Sequence, residues 1–127
     1  MIEGVSQVIV EVEDQDRALG FWTKTMEFEL VQDAPYGEGG RWIEVRTRDK
    51  ATILVLRPRL GDRPTAPDEL PTSNTFFYCE DLPGTYDELR ARGVAFPQPP
   101  VERSWGSWSM FADQEGNRFA LGRRAAA

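Results

Sequence analysis

The sequence contains no histidine and only one cysteine, Cys79, among its 127 residues. Without histidine the chain cannot build a Ser–His or Cys–His nucleophilic pair, and it lacks the commonest protein ligand of transition metals. A single cysteine cannot form an internal disulfide, so we expect a protein of the reducing cytoplasm. No segment approaches the roughly 18 consecutive apolar residues of a membrane helix, which argues against a membrane protein.

Positive charge is also scarce, because 15 lysines and arginines face 21 aspartates and glutamates, for a net charge of −6. No basic stripe is present to replace the counterions of DNA or RNA, which excludes nucleic acid as a partner. A cationic or neutral small molecule suits the negative field of this chain better. The length is that of one domain, which we assign to residues 1–127.

One pattern occurs twice in the chain. Strand-like residues 8–12 lead through Glu13-Asp14 into a helical stretch, and strand-like residues 75–79 lead through Glu80-Asp81 into another. Extended segments follow each helix. This repeat predicts an α+β fold of two βαβββ modules, each of which leaves an apolar face open. We therefore expect the modules to form an open curved mixed sheet around a cavity, with the helices on the convex face.

The local signals give approximate boundaries for these modules. Asp14 or Asp16 and Asp81 are candidate helix caps, and Gly93 is a candidate helix stop. The predicted segments are module one at 1–57, a proline-rich linker at 58–72, module two at 73–124, strands at 28–31, 41–47, 51–56, 94–96, 108–112 and 118–121, a glycine loop at 35–40 and a frayed end at Ala125 to Ala127. Asp113 fits the opening position of the last hairpin turn.

Three segments together resemble a known superfamily. Val10 to Trp22 is similar to a strand followed by D-x-D-R-A-x-x-F-Y, Arg92-Gly93-Val94 follows the second helix, and Phe111 to Asn117 is similar to F-x-D-P-D-G-N, with Gln114 in place of proline. In order and spacing, nearly the whole chain resembles the vicinal oxygen chelate superfamily. That group includes glyoxalase I, extradiol ring-cleaving dioxygenases, fosfomycin-modifying enzymes and bleomycin-resistance binding proteins. The resemblance implies the two-module fold and a homodimer.

The enzymes of that superfamily hold a divalent metal on the concave strand faces. The resemblance places Gln7 and Asn74, or with less support Thr75, at the two histidine positions, and Leu54 and Ala120 at the two carboxylate positions. Hydrocarbon side chains cannot coordinate a metal, and neutral amides bind transition metals weakly. We therefore predict no catalytic metal, no cofactor and no catalytic residue. A hard-cation site made from Glu11 and Glu44 has no motif in its favour.

The chain lacks good metal ligands but is rich in aromatic residues, with four tryptophans. Trp22 lies on the helical stripe and is assigned to the core. Strand alternation directs Ile43 and Val45 toward the helices, so Trp42 and Glu44 face the concave side. The same reasoning directs Ile53 and Val55 outward and the set Thr52, Leu54 and Leu56 inward. In module two, Phe76 and Tyr78 share the face of Asn74, and Met110 is in phase with Trp108.

The bleomycin-resistance proteins carry a Trp-Gly pair at the position of Trp105-Gly106 and hold a flat ligand between aromatic rings. We therefore predict a metal-free protein of this type that sequesters a flat aromatic small molecule, such as an antibiotic in drug resistance or self-resistance. The predicted ligand-binding residues are Gln7, Trp42, Glu44, Leu54, Asn74, Phe76, Tyr78, Trp105, Trp108 and Met110.

Two other functions are compatible with the same residues. The first is an enzyme of this fold, a lyase, isomerase or dioxygenase, with a non-metal acid/base site or a weak metal site. The second is a structural or regulatory domain whose aromatic residues serve dimerisation alone, because tryptophan is enriched in interfaces as well as in pockets. Cys79 lies on an apolar strand, which favours a packing role over a reactive one.

Overall fold

The computed structural model describes residues 1–123 and divides the chain into two compact units, Met1–Arg63 and Pro64–Ala127. The predicted frayed end at Ala125 to Ala127 lies outside the described residues. Each unit runs strand, helix, then three strands, which confirms the α+β prediction and its two βαβββ modules. The elements of unit 1 are β1 (Gln7–Val12), α1 (Gln15–Gly20) with a π-helical turn (Phe21–Thr25), β2 (Glu29–Tyr36), β3 (Gly40–Arg46) and β4 (Ile53–Pro58). The elements of unit 2 are β5 (Phe76–Cys79), α2 (Leu82–Ala91), β6 (Gln98–Arg103), β7 (Gly106–Ala112) and β8 (Arg118–Arg123).

Both units use the same sheet topology. The strand order is β1-β4-β3-β2 in unit 1 and β5-β8-β7-β6 in unit 2. The first strand pairs with the last in parallel, and the other pairs are antiparallel. The antiparallel pairs are joined by short connections, whereas a parallel pair needs a longer crossover, which here includes the helix and the two intervening strands. The repeat in the sequence is therefore a repeat of topology.

The helix ends follow the local sequence signals. The Asp14 carboxylate accepts a hydrogen bond from the Arg17 backbone N–H at 3.1 Å, and Asp81 accepts one from the Gly84 N–H at 3.0 Å. These bonds satisfy backbone donors that have no partner inside the helix, which confirms both predicted caps. Helix α2 ends at Ala91, and Gly93 follows it with a φ of +91°, which is strained for a residue with a Cβ atom.

Two predicted boundaries are wrong for the same reason. The strand predicted at residues 94–96 is absent, and the strand begins instead at Gln98 and includes Pro99 and Pro100. Likewise Pro35 and Tyr36, predicted as loop, belong to β2. Proline has no backbone N–H to donate to a neighbouring strand. It is tolerated in β6 and β2 because these are edge strands, which pair with another strand on one side only.

The predicted phase of β4 is also wrong. The register pairs Leu54 with Val45 and Leu56 with Ile43, so these four residues share one face and are fully buried. Val55, predicted to point toward the helices, pairs with Glu44 on the opposite face. A slip of one residue exchanges the two faces of a strand, and the turn at residues 47–52 sets this register. Leu54 is therefore a core residue of unit 1.

Each unit has its own apolar core. In unit 1 the side chain of Gln15 ties helix α1 to the sheet, because its amide donates to the carbonyl oxygens of Arg41 and Leu56 at 2.6 and 2.9 Å. Trp22 is fully buried, as predicted. In unit 2 the rings of Phe111 and Phe119 stack with their centroids 5.4 Å apart. Within residues 1–123 we find no helix long and apolar enough to cross a membrane.

Candidate functional site

The face of the unit 1 sheet opposite Leu54 and Val45 carries mixed polar and aromatic side chains, and we call it the polar face. The strand registers bring together three of the predicted residues, Gln7, Trp42 and Glu44, on this face. Its other members are Ile9, Glu11, Glu29, Gln32, Ala34, Tyr36, Arg46, Ile53, Val55 and Arg57. Leu54 does not belong to it.

The arginines of the polar face are paired with glutamates. Arg46 contacts Glu29 with an Nη2–Oε1 distance of 3.1 Å, and Arg57 contacts Glu11 with an Nη2–Oε1 distance of 2.7 Å. Both pairs are partly exposed, so each adds little to stability. Within each pair the opposite charges largely compensate one another. The pairing of Glu11 also removes it from a hard-cation site shared with Glu44.

Glu44 lies beside an aromatic pair on the same face. The indole N–H of Trp42 donates to Glu44 Oε2 at 2.7 Å, and the rings of Tyr36 and Trp42 lie 5.2 Å apart between centroids at an angle of 56°. Tyr36 was not among the predicted site residues, because its neighbours Pro35 and Gly37 indicated a loop. The alternation of Ala34 and Tyr36 along an edge strand is the signal that places it here.

The unit 2 sheet carries an aromatic face, defined by Phe76, Tyr78, Trp108, Met110 and Trp105. Phe76 pairs with Ala120, which pairs with Met110, and Tyr78 pairs with Gly122, which pairs with Trp108. These registers therefore place the first four residues on one face, and their role in ligand binding stays a prediction. Phe76 is 63% exposed and Tyr78 is 44% exposed, so two accessible aromatic rings lie on β5 at the edge of this face.

A glycine lies between two of these rings. Tyr78, Gly122 and Trp108 stand in one row across three neighbouring strands, and Gly122 has no side chain. Two strand spacings separate the outer residues by about 9–10 Å. The Phe76 ring lies over part of this position, since its Cε1 atom is 3.8 Å from the point that a Cβ atom of residue 122 would occupy. Gly122 was not among the predicted site residues, although a glycine inside a strand is a known sign of close approach by a ligand or another backbone.

Trp105 and Trp108 lie close to each other at one end of the aromatic face. Trp105 is in the turn between β6 and β7, it is 63% exposed, and its ring centroid is 6.3 Å from that of Trp108. The indole N–H of Trp108 is buried and has no hydrogen-bond acceptor among residues 1–123.

The remaining candidate residues are Asn74, Asp113 and Cys79. Asn74 is exposed and lies in a bend two residues before Phe76, outside the strand. Asp113 accepts hydrogen bonds at 2.9 Å from the backbone N–H groups of Glu115 and Asn117, which confirms its role in the hairpin turn. Burial raises the pKa of Asp113, and these hydrogen bonds oppose the rise. Burial also raises the pKa of the Cys79 thiol, which disfavours a nucleophilic thiolate.

The residues at the superfamily's metal positions do not fit a transition metal. Leu54 faces the core, Ala120 has only a methyl group, and Gln7 and Asn74 offer neutral amides. Among the described residues, no three histidine, cysteine, aspartate or glutamate side chains converge on a point that could hold a metal ion. The chemistry of this donor set gives no basis for a metal-dependent step.

Comparisons with known proteins agree with this architecture. The family model of the Glyoxalase/Bleomycin resistance protein/Dioxygenase superfamily matches residues 4–121. The uncharacterized protein YetH of Bacillus subtilis is 36% identical over 121 residues, covering 95% of this chain and 98% of YetH. Among solved structures, TnmS3, an antibiotic binding protein from Streptomyces sp. CB03234, has 31% identity and a TM-score of 0.79, with 98% of each chain covered. UcmS2 has 32% identity and a TM-score of 0.76, covering 98% of this chain and 100% of its own. The chain belongs to the glyoxalase/bleomycin resistance protein/dioxygenase superfamily.

Proposed function

We propose that this protein is a metal-free binder that sequesters a flat aromatic small molecule, such as an antibiotic, on the aromatic face of unit 2. The row of Tyr78, Gly122 and Trp108 carries the proposal, because two aromatic residues flank a strand position without a side chain and the exposed Phe76 ring lies beside that position. The exposure of Phe76 and Trp105 supports it. The antibiotic-binding relative TnmS3, which is similar along its whole length, supports the same class of function.

The chemistry of the face favours a flat ligand over a globular one. Aromatic rings gain most from offset-stacked or edge-to-face contact with another ring, and such contact does not depend on a fixed hydrogen-bond pattern. The catalytic alternative has less support, since the chain has no histidine and burial raises the pKa of the single thiol, Cys79.

The proposal is tested with two cationic probes that differ in shape. Proflavine is flat and tricyclic, whereas amantadine is a cage hydrocarbon with one ammonium group. Calorimetric titration should give at least about tenfold tighter binding for proflavine, because only a flat ring makes two stacking contacts. Equal affinity for the two probes, or no binding of proflavine, would reject the aromatic face as a site for flat ligands.

The first accompanying prediction is that no transition metal binds stoichiometrically. The donor set of Gln7, Asn74, Leu54 and Ala120 lacks the imidazoles and carboxylates that zinc, iron and nickel require. Protein purified without a histidine tag should contain far less than one equivalent of Zn, Ni, Fe or Mn by elemental analysis. One equivalent of any of these metals would contradict the prediction and support the enzymatic alternative.

The second accompanying prediction is a homodimer. Exposed apolar residues lie on edge strands of the described sheets, including Ile9 on β1 and Leu30 and Val31 on β2, and such edges need cover. Sedimentation at micromolar concentration should give about twice the 14.4 kDa chain mass. A monomer at that concentration would disprove it. If the dimer forms and proflavine fails to bind, the aromatic face is better assigned to a dimer seam.

A further inference from the structure

The polar face of unit 1 has a carboxylate whose charge is not neutralised. The two arginines of the polar face are already paired, Arg46 with Glu29 and Arg57 with Glu11. Glu44 accepts one hydrogen bond, at Oε2, from a neutral indole, and no described residue donates to its Oε1. Among the charged residues on these strands, Glu44 is therefore the negative charge left over.

Two aromatic rings stand at an angle beside this carboxylate. The ring planes of Tyr36 and Trp42 meet at 56°, with centroids 5.2 Å apart. The strand positions around them are small, because Ala34 pairs with Trp42 and Gly40 pairs with Tyr36. Tyr36 is 59% exposed and Trp42 is half-buried, so both rings keep accessible surface for a ligand.

A carboxylate beside aromatic faces is the chemistry that recognises an organic cation. Ring faces carry negative charge from the π-system and attract ammonium groups, with tryptophan the strongest. The hydrogen bond from Trp42 to Glu44 fixes both groups and polarises the indole toward higher electron density on its ring. A neutral aromatic ligand would use the rings but would leave the Glu44 charge uncompensated.

We infer that Tyr36, Trp42 and Glu44 form a binding subsite for a quaternary or protonated amine. Glu44 supplies the charge, and the two rings supply the cation–π surface. The net charge of −6 assists the approach of such a ligand. The subsite does not rest on the flat-ligand proposal, because its residues and its chemistry differ from those of the aromatic face.

The test uses choline and its neutral isostere 3,3-dimethylbutan-1-ol, which have nearly the same shape. Binding is followed by the indole N–H signal of Trp42 in NMR spectra of the 15N-labelled protein, assigned from its loss in Trp42→Phe. Choline should move this signal saturably and bind at least about tenfold more tightly than the isostere. An equal response to the two compounds, or no response to choline, would overturn the inference.

Variants separate charge from shape. Glu44→Gln keeps an acceptor for the Trp42 N–H but removes the charge, so choline affinity should fall about 3- to 30-fold. Glu69→Gln is the matched control, since it removes an exposed carboxylate elsewhere in the chain and should change nothing. Tyr36→Leu provides a second variant at an exposed position, and it should weaken choline binding about 2- to 5-fold. Equal effects of Glu44→Gln and Glu69→Gln would also overturn the inference, because a general charge effect would then suffice. Choline has no flat ring, so failure here leaves the proflavine result intact.

Discussion

Replacing Trp22 with alanine is expected to lower the free energy of unfolding by about 3–5 kcal/mol. The side chain is fully buried in unit 1, and its ring packs edge-on against Phe21 at 5.1 Å and near Phe28 at 5.4 Å between centroids. Alanine removes the whole indole, and a close-packed interior refills such a space only in part. Urea unfolding followed by circular dichroism measures the change.

Trp105→Ala is the matched control for this prediction. The substitution is the same, but the Trp105 side chain is 63% exposed, so the loss should stay within about 0.5 kcal/mol. If the alanine variant at position 22 does not fold, Trp22→Phe should still fold with a smaller loss, since one ring remains. A loss below about 1 kcal/mol for Trp22→Ala would show that the position is not part of a close-packed core.

Replacing Trp108 with alanine is expected to weaken the binding of a flat polycyclic compound by about 1–3 kcal/mol, or roughly 5- to 150-fold in Kd. The ring lies beside Gly122 in the row that the proposal uses, so its loss removes one of the two stacking surfaces. Trp22→Phe is a suitable control, because it alters a tryptophan outside the aromatic face and should leave affinity unchanged.

Local features of the fold could be predicted from sequence because neighbouring residues determine them. The caps at Asp14 and Asp81 require only a short carboxylate followed by free backbone N–H groups within the next turn. The Asp113 turn depends on donors two and four residues later. Such interactions do not depend on how distant strands align, so the pattern of residue types is sufficient.

Features set by strand register could not be predicted in the same way. Leu54 and Val55 are both apolar, so the sequence of β4 does not show which one faces the helix. The outcome depends on the turn between β3 and β4, where a difference of one residue exchanges the faces. Position in the sheet has a similar effect, because Pro99 and Pro100 are tolerated in β6 only at an edge.

The candidate site shows the same division. The phase of Phe76 with Tyr78 and of Trp108 with Met110 was predictable, since it follows from alternation within each strand, whereas the register of β8 places the two pairs on one face. Gly122 and Tyr36 were not predicted because their roles depend on residues of neighbouring strands. Gly122 matters through Tyr78 and Trp108 on the flanking strands, and Tyr36 matters through its contact with Trp42 across a hairpin.

The central claim is that the aromatic face of unit 2 binds a flat ligand, and one paired measurement tests it most directly. Proflavine affinity by calorimetry and thermal unfolding should be measured on the same samples of the wild-type protein and Trp108→Ala. We expect Trp108→Ala to lose about 1–3 kcal/mol of proflavine affinity, with a melting temperature lowered by only a few degrees. Unchanged affinity together with a large fall in melting temperature would contradict the account, because Trp108 would then serve the core or a subunit contact instead of a ligand.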